Sequence, residues 1–371
     1  MSRSSLVRLC QHVFVAVIAV AVVAGLSERH GAAQGRVKVT SAMVNPYRML
    51  DNWPQWGSIK PGPAIGLAAD GKGGLWLGQR ADPAIVHIDA SGKILTSFAN
   101  GIFGRQHGLC IDRDGNIWAG DSGPNDDNVE QNSKAFVFRK FSPDGKLLMT
   151  VGKPGVSKAG TDTFVSPTNC TVMPNGDLLI TDGHIQRSTK YAQQDGDRIV
   201  EITTAGKFVK QWGKSGVMPG DFIGPHGAAY DSQGRLFVAD RSNNRVQIFD
   251  KDMNYIDSWR QFSRPSGVAI LKDDTMFVSD SESSPNGFRP AESWEQFFLP
   301  PVPSPAPLVR NAGWAPGIRI GSAKDGSLKF YIPNTYPEGL EADEFGNVYA
   351  ALTGGCNDVP TNPCLQKWVK K

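Results

Sequence analysis

The sequence predicts an all-β chain of six four-stranded antiparallel units closed into a ring, and three observations carry that expectation. Segments beginning at Ile65, His107, Thr168, His226, Ser266 and Glu338 superimpose without a gap. Eleven residues after each start comes the middle of a second strand: Trp76, Trp118, Leu179, Phe237, Phe277 and Tyr349. Between the two strands lie turn clusters such as Arg113-Asp114-Gly115-Asn116, Pro174-Asn175-Gly176-Asp177 and Ser232-Gln233-Gly234-Arg235. These supply the positive φ that tight hairpins need. Two more β-rich runs follow in most units, so the whole pattern recurs every 40–70 residues. Four antiparallel strands repeated around an axis make the blade of a β-propeller.

Each unit follows one script. An inner strand of small and apolar residues ends at Asp70, Asp112, Met173, Asp231, Leu271 or Asp343. A second strand runs to Asp121, Asp182, Asp240 and Asp280 in the middle units. Third strands are expected at Ile85–Ile88, Phe136–Phe141, Arg198–Ile202, Arg245–Phe249 and Gly317–Ile320. Fourth strands are expected at Ile94–Phe98, Leu147–Val151, Phe208–Trp212, Tyr255–Trp259 and Leu328–Ile332. The last unit is one strand short and ends at Lys367-Trp368-Val369. The stretch Val37–Val44 is expected to pair there, closing the ring and removing the exposed sheet edges. Unit five carries an insertion over residues 284–316, whose run Leu299–Pro307 is too rich in proline to join a sheet interior. It reads as an extended surface loop. A lid over the channel mouth, carried by Trp294, Phe297 and Phe298, is the functional alternative.

The N-terminus reads as a processing signal. Arg3 and Arg8 precede the apolar run Val13–Gly25, and Gly31-Ala32-Ala33 offers a small-residue cleavage site. The apolar run is shorter than the ~20 residues that span a bilayer, so residues 1–33 are expected to be a cleaved leader, with an uncleaved anchor as the alternative. Residues 34–371 then form the propeller, exported to the periplasm or the extracellular space. The leader carries a net +2 (Arg3, Arg8 and Arg29 against Glu28), which takes the chain from +3 to about +1. Without a basic stripe, no nucleic-acid partner is expected, and no membrane contact once the leader is gone. The propeller is expected to act as a monomer. Four cysteines remain: Cys110, Cys170, Cys356 and Cys364. Cys356 and Cys364 bracket a turn-rich loop and are expected to pair. Cys110 and Cys170 start neighbouring inner strands, which leaves both a disulfide and two buried thiols open.

The first residue of each segment is the one nearest the axis. Reading round the ring gives Ile65, His107, Thr168, His226, Ser266 and Glu338, each followed by a small residue, as backbone crowding would require. The second, fourth and sixth units sit a third of a turn apart, so His107, His226 and Glu338 point at one another. Two imidazoles and a carboxylate make a catalytic zinc set with one position left open. Zinc is therefore the expected metal. A channel histidine that merely binds ordered water is the bland reading, but two of the four histidines outside the leader occupy this ring. Directly after the second-strand Asp position come Arg80 and Arg241, in units one and four. Beside a metal, their guanidinium forks suit a carboxylate, although pairing with a nearby Asp is equally open. His184, at the same level in unit three, is either a general acid or base or a surface-loop histidine. His87 reads as a packing residue.

The stretch Asp231 to Asp250 (DSQGRLFVADRSNNRVQIFD) resembles an NHL repeat. More narrowly, His107-Gly-Leu, Asp182-Gly-His, Pro225-His-Gly, Ala239-Asp-Arg and Pro337-Glu-Gly, in that order, resemble the peptidyl-α-hydroxyglycine α-amidating lyase family over residues 50–371. The resemblance implies a six-bladed propeller with a three-histidine zinc site on its axis, cleaving a carbinolamide to an amide and glyoxylate. It implies that His107 and His226 match two zinc ligands and that Arg80 and Arg241 match two active-site arginines. It also implies that Asp182-Gly183-His184 stands where the family places a catalytic tyrosine. Two departures are Glu338, in place of the third zinc histidine, and His184, in place of the tyrosine. The family's structural calcium uses an Asp after the third ligand; Gly339 stands there, which argues against calcium. The expected activity is thus a carbon–nitrogen lyase acting on a carboxylate-bearing small molecule or peptide, an α-hydroxy amide. The rival is a non-catalytic propeller that binds a protein or glycan outside the cytoplasmic membrane. A lactone hydrolase is a third option, but such sites are richer in oxygen ligands than this ring.

Overall fold

In the computed structural model, residues 43–123, 129–184, 196–283, 314–354, 356 and 363–371 are described. Strand β1 (Tyr47–Met49) precedes blade one, which comprises β2 (Ala64–Ala69), β3 (Leu75–Gln79), β4 (Ile85–Ile88) and β5 (Ile94–Phe98). Blade two has β6 (Gln106–Ile111), β7 (Ile117–Asp121), β8 (Val137–Phe141) and β9 (Leu147–Val151), with a short helix α1 (Val129–Lys134) before β8. Blade three has β10 (Pro167–Val172), β11 (Leu178–Asp182), β12 (Arg198–Ile202) and β13 (Phe208–Trp212). Blade four has β14 (Pro225–Tyr230), β15 (Leu236–Asp240), β16 (Arg245–Phe249) and β17 (Tyr255–Trp259). Blade five has β18 (Val268–Ile270), β19 (Thr275–Asp280), β20 (Gly317–Ser322) and β21 (Leu328–Pro333). Blade six has β22 (Gly339–Ala342), β23 (Val348–Ala351) and β24 (Leu365–Lys370), completed by β1. All six sheets are four-stranded, every pairing is antiparallel, and the inner strands touch their neighbours all the way round.

The ring closes where a missing fourth strand was expected, but with a different segment. Tyr47–Met49 pairs with β24 in the register Tyr47↔Lys370, Arg48↔Val369 and Met49↔Trp368. Residues 37–42 of the expected Val37–Val44 strand lie outside the described residues, and the carbonyl of Val44 accepts from Tyr331 on blade five instead. Residues 1–33 and 284–313, which cover the stretch expected to be a leader and nearly all of the proline-rich insertion, also lie outside them.

Packing explains why the second and third strands read as nearly continuous apolar runs: each blade buries both faces against its neighbours. The core accordingly sits between blades, as where Phe277, Ile318 and Ile332 of blade five meet Leu340, Val348 and Ala350 of blade six. Fully burying side chains of this size contributes about 1.5–3 kcal/mol each. The outermost strands face solvent, alternating in β5 and exposed through the middle of β13. His87 packs as expected, stacked on Trp76 at 4.1 Å with Nε2 3.0 Å from Asp70.

Two disulfides fasten this frame. Cys110–Cys170 joins the inner strands of blades two and three, and Cys356–Cys364 closes a loop in blade six. Both fit an oxidising environment. Among the described residues no helix is long and apolar enough to cross a membrane.

Candidate metal centre on the propeller axis

The inner strands break their register at the axial position. In blades one to four the pairing of first and second strands slips between Ala64 and Gly66, Gln106 and Leu109, Pro167 and Asn169, and Pro225 and Ala228. In blades five and six the strand begins just after Ser266-Gly267 and Glu338. A bulge of this kind leaves one residue unpaired and re-aims its side chain. The small residues that follow are needed there. A Cβ on Gly108 would lie 2.3 Å from the Asn169 Cα, and one on Gly339 would lie 1.9 Å from the Ile65 carbonyl oxygen.

These bulges, and the strand start in blade six, bring the expected trio together. His107 and His226 have ring centroids 4.9 Å apart, and both rings are buried. Glu338 Oε1 lies 3.1 Å from His226 Nε2 and 4.0 Å from His107 Nε2. The intervening blades orient the imidazoles. The Thr168 carbonyl lies 2.6 Å from His107 Nδ1 and the Ser266 carbonyl 3.1 Å from His226 Nδ1. A carbonyl can only accept, so each Nδ1 carries the proton and each Nε2 turns its lone pair to the axis. The Thr353 hydroxyl donates to Glu338 Oε2, leaving Oε1 to face the histidines.

His184 joins this group rather than standing apart as a lone acid or base. Its Nε2 is 3.4 Å from Glu338 Oε1, and its ring lies 4.8 Å from that of His107. Gly183, with φ +154°, makes the turn that brings it in, and both Gly183 and His184 donate their amides to the Ser166 carbonyl at 3.0 Å. One ligand atom from each of His107, His184, His226 and Glu338 falls within 4.8 Å of all the others.

Electrostatics sets the donor state. Burial pushes the His184 imidazole down to about 3, against the pull of Glu338 and with help from Arg241 and Arg105. His107 and His226 are lowered too, chiefly by burial. Burial alone would raise Glu338, but His184, His226 and Arg241 outweigh it and hold the carboxyl well below its usual range. Neutral imidazoles and an ionised carboxylate are what a divalent cation requires. His107 Nε2 is moreover buried without a hydrogen-bond partner. Ligand atoms of tetrahedral zinc, with bonds of about 2.0–2.2 Å, stand roughly 3.3 Å apart. The separations of Glu338 Oε1 from the three imidazoles bracket that value, so the donor set fits such an ion.

The arginines divide. Arg241 Nη1 donates to Glu338 Oε1 at 2.8 Å, and Nη2 lies 3.1 Å from His184 Nε2. Arg80 Nε reaches the Gln106 carbonyl at 3.4 Å, while its Nη2 is buried with no partner. A third guanidinium, Arg105, escaped the sequence reading. Burial, and then the Arg80 charge, push it well below its ordinary value, with Arg241 acting in the same sense and Glu338 and Asp121 against. A guanidinium stays protonated in proteins, so Arg105 is a buried cation with a second cation, Arg80, close by. Its signal was available as an arginine two residues before an axial histidine.

An NHL repeat model matches residues 222–249, the part of blade four that holds His226 and Arg241. The chain is a six-bladed β-propeller that carries an NHL repeat in blade four. Three relatives share about a quarter to a third of aligned residues with this chain. NHL repeat-containing protein 3 of Homo sapiens is 29% identical over 240 residues, covering 61% of this chain and 63% of that one. Peptidylglycine alpha-amidating monooxygenase of Rattus norvegicus is 30% identical over 225 residues, covering 52% and 21%. A probable peptidyl-alpha-hydroxyglycine alpha-amidating lyase of Caenorhabditis elegans is 26% identical over 195 residues, covering 52% and 49%. The chain thus spans less than two thirds of the length of each. In fold it resembles the gluconolactonase of Xanthomonas campestris, with a TM-score of 0.56 at 14% identity over 90% of this chain and 94% of the other.

Proposed function

We propose that the protein is an exported, zinc-dependent lyase that cleaves a carboxylate-bearing α-hydroxy amide to an amide and glyoxylate. The observation that carries this reading is the axial group itself: three imidazoles and one carboxylate converge where Arg241 also reaches in. Relatives named as amidating lyases support the reaction class, and the two disulfides support export.

His107, His226 and Glu338 would hold zinc, with His184 within reach of the same ion. When bound, zinc supplies Lewis acidity towards the substrate's hydroxyl oxygen. The residues of the chain do the rest. Arg80, with an unpartnered Nη2, holds the carboxylate. Arg241 bridges Glu338 and His184 and keeps them in register. His184 is neutral at working pH, so its Nε2 accepts the hydroxyl proton. The C–O bond becomes a carbonyl as the C–N bond breaks, and the same proton passes to the departing amide nitrogen. Atoms balance without water or an oxidant.

The reading is tested with N-benzoyl-α-hydroxyglycine, following glyoxylate release alongside zinc content. His226→Ala should lose both zinc and at least about 100-fold in turnover. His184→Ala should lose turnover while keeping zinc. Undiminished turnover in His226→Ala would sink the scheme. Loss of zinc in His184→Ala would make that histidine a ligand instead of the base. Neither zinc nor glyoxylate from the intact protein would leave a non-catalytic propeller as the better reading.

A further inference from the structure

Blades two and five carry the same arginine in the same place, and only one of the two is neutralised. Arg105 stands two residues before His107, and Arg264 two residues before Ser266. Both follow the stretch that the second-strand aspartate clamps: the Arg105 amide donates to Asp121 Oδ1 at 2.8 Å, and the Arg264 amide points at Asp280 Oδ2 at 3.4 Å. In blade five the Arg264 guanidinium is spent, with Nε donating to Glu282 Oε2 at 2.8 Å and Nη1 to the Arg241 carbonyl at 3.1 Å. Glu282 lies two residues past Asp280. Two residues past Asp121 stands Gly123, which has no side chain to offer. Among the described residues the Arg105 side chain makes neither hydrogen bond nor ion pair. Arg80 leans on the carbonyl of Gln106, the next residue along, and holds a buried, unpartnered Nη2. Arg241 also has a buried Nε without a partner, but both arms of its fork are taken, by Glu338 and His184.

We propose that Arg105 and Arg80 together form the carboxylate-binding subsite of this propeller, on the side of blades one and two, and that Arg241 is a positioning residue for Glu338. Two guanidiniums with no ion pair of their own beside a metal-ligand cluster recognise one planar anion by paired N–H donors. Arg105 is thereby a specificity-determining residue, selecting a free carboxylate over its ester or amide. The inference rests on the lyase reading only for naming glyoxylate as the anion released.

The test is titration of the zinc-loaded protein with glyoxylate, and with methyl glyoxylate as the uncharged control. Arg105→Gln should weaken glyoxylate about 10-fold or more, leave zinc content unchanged and bind methyl glyoxylate as the wild type does. Arg105→Lys, which keeps the charge but loses the fork, should fall between the two. Crystals of the wild-type protein soaked in glyoxylate should show the carboxylate on Arg105 and Arg80, a result that needs no variant to fold. Wild-type affinity in Arg105→Gln, no glyoxylate binding by the wild type, or a carboxylate seated on Arg241 alone would each overturn the proposal. Binding through Arg105 without lyase activity would retire the lyase reading and keep the subsite. Glyoxylate release that is indifferent to Arg105 would do the reverse.

Discussion

Two sets of buried carboxylates share this molecule, and they are satisfied in opposite ways. At the ends of the second strands, three aspartates have partners of their own on the third strand. Arg139 lies 3.1 Å from Asp121, Arg198 3.0 Å from Asp182 and Arg245 2.7 Å from Asp240. Each aspartate also accepts backbone amides from the segment that leads to the axial residue, as Asp182 does from Val165 and Ser166. On the axis, a single oxygen of Glu338 is shared by Arg241, His226 and His184. One set is complete within the protein and builds the scaffold. The other gathers more positive and metal-binding groups than one carboxylate answers, which is what a ligand site requires.

The sharpest way to break that contrast is at Asp182. Its removal leaves Arg198 without its acid and two backbone amides without an acceptor in the interior, so Asp182→Ala should cost about 3–5 kcal/mol of unfolding free energy. Denaturant unfolding measures this, and the fraction that remains folded should still bind zinc. A near-neutral variant would mean that the aspartates are not the frame. A second scaffold prediction concerns the bond between blades two and three. Replacing Cys110 and Cys170 together by serine should lower stability by about 2–4 kcal/mol, again without altering zinc content. Thermal unfolding of the oxidised protein and the double variant checks it.

The smallest effect is a matter of pH. Glu341 lies three residues beyond Glu338 and lacks its cationic partners; burial pushes it up to about 7, with backbone amides opposing and Asp343 assisting. A carboxyl whose folded pKa lies above its unfolded value near 4.5 stabilises the fold fully below pH 4.5. That contribution is lost as pH rises through 7. Stability should therefore decline between about pH 5 and 8, and Glu341→Gln should flatten the slope. An unchanged slope in the variant would assign it to other groups.

Most of the frame was legible because propeller strands are local. The β-rich runs that follow each second strand placed Ile85–Ile88, Arg198–Ile202 and Arg245–Phe249 with their observed ends, and alternation around the ring brought His107, His226 and Glu338 together. What escaped was non-local. The closing strand Tyr47–Met49 is too short to show a period, and its partner lies at the far end of the chain. His184 joins the cluster because Gly183 turns it inward, which spacing alone does not say. Arg105 was passed over because its state depends on an acid that blade five has and blade two lacks.

The metal is the deciding feature of this site. Elemental analysis of protein purified without chelator, beside Glu338→Ala, should find about one zinc per chain in the first and almost none in the second. Zinc absent from both, or retained equally by the variant, would contradict an axial zinc centre built on Glu338.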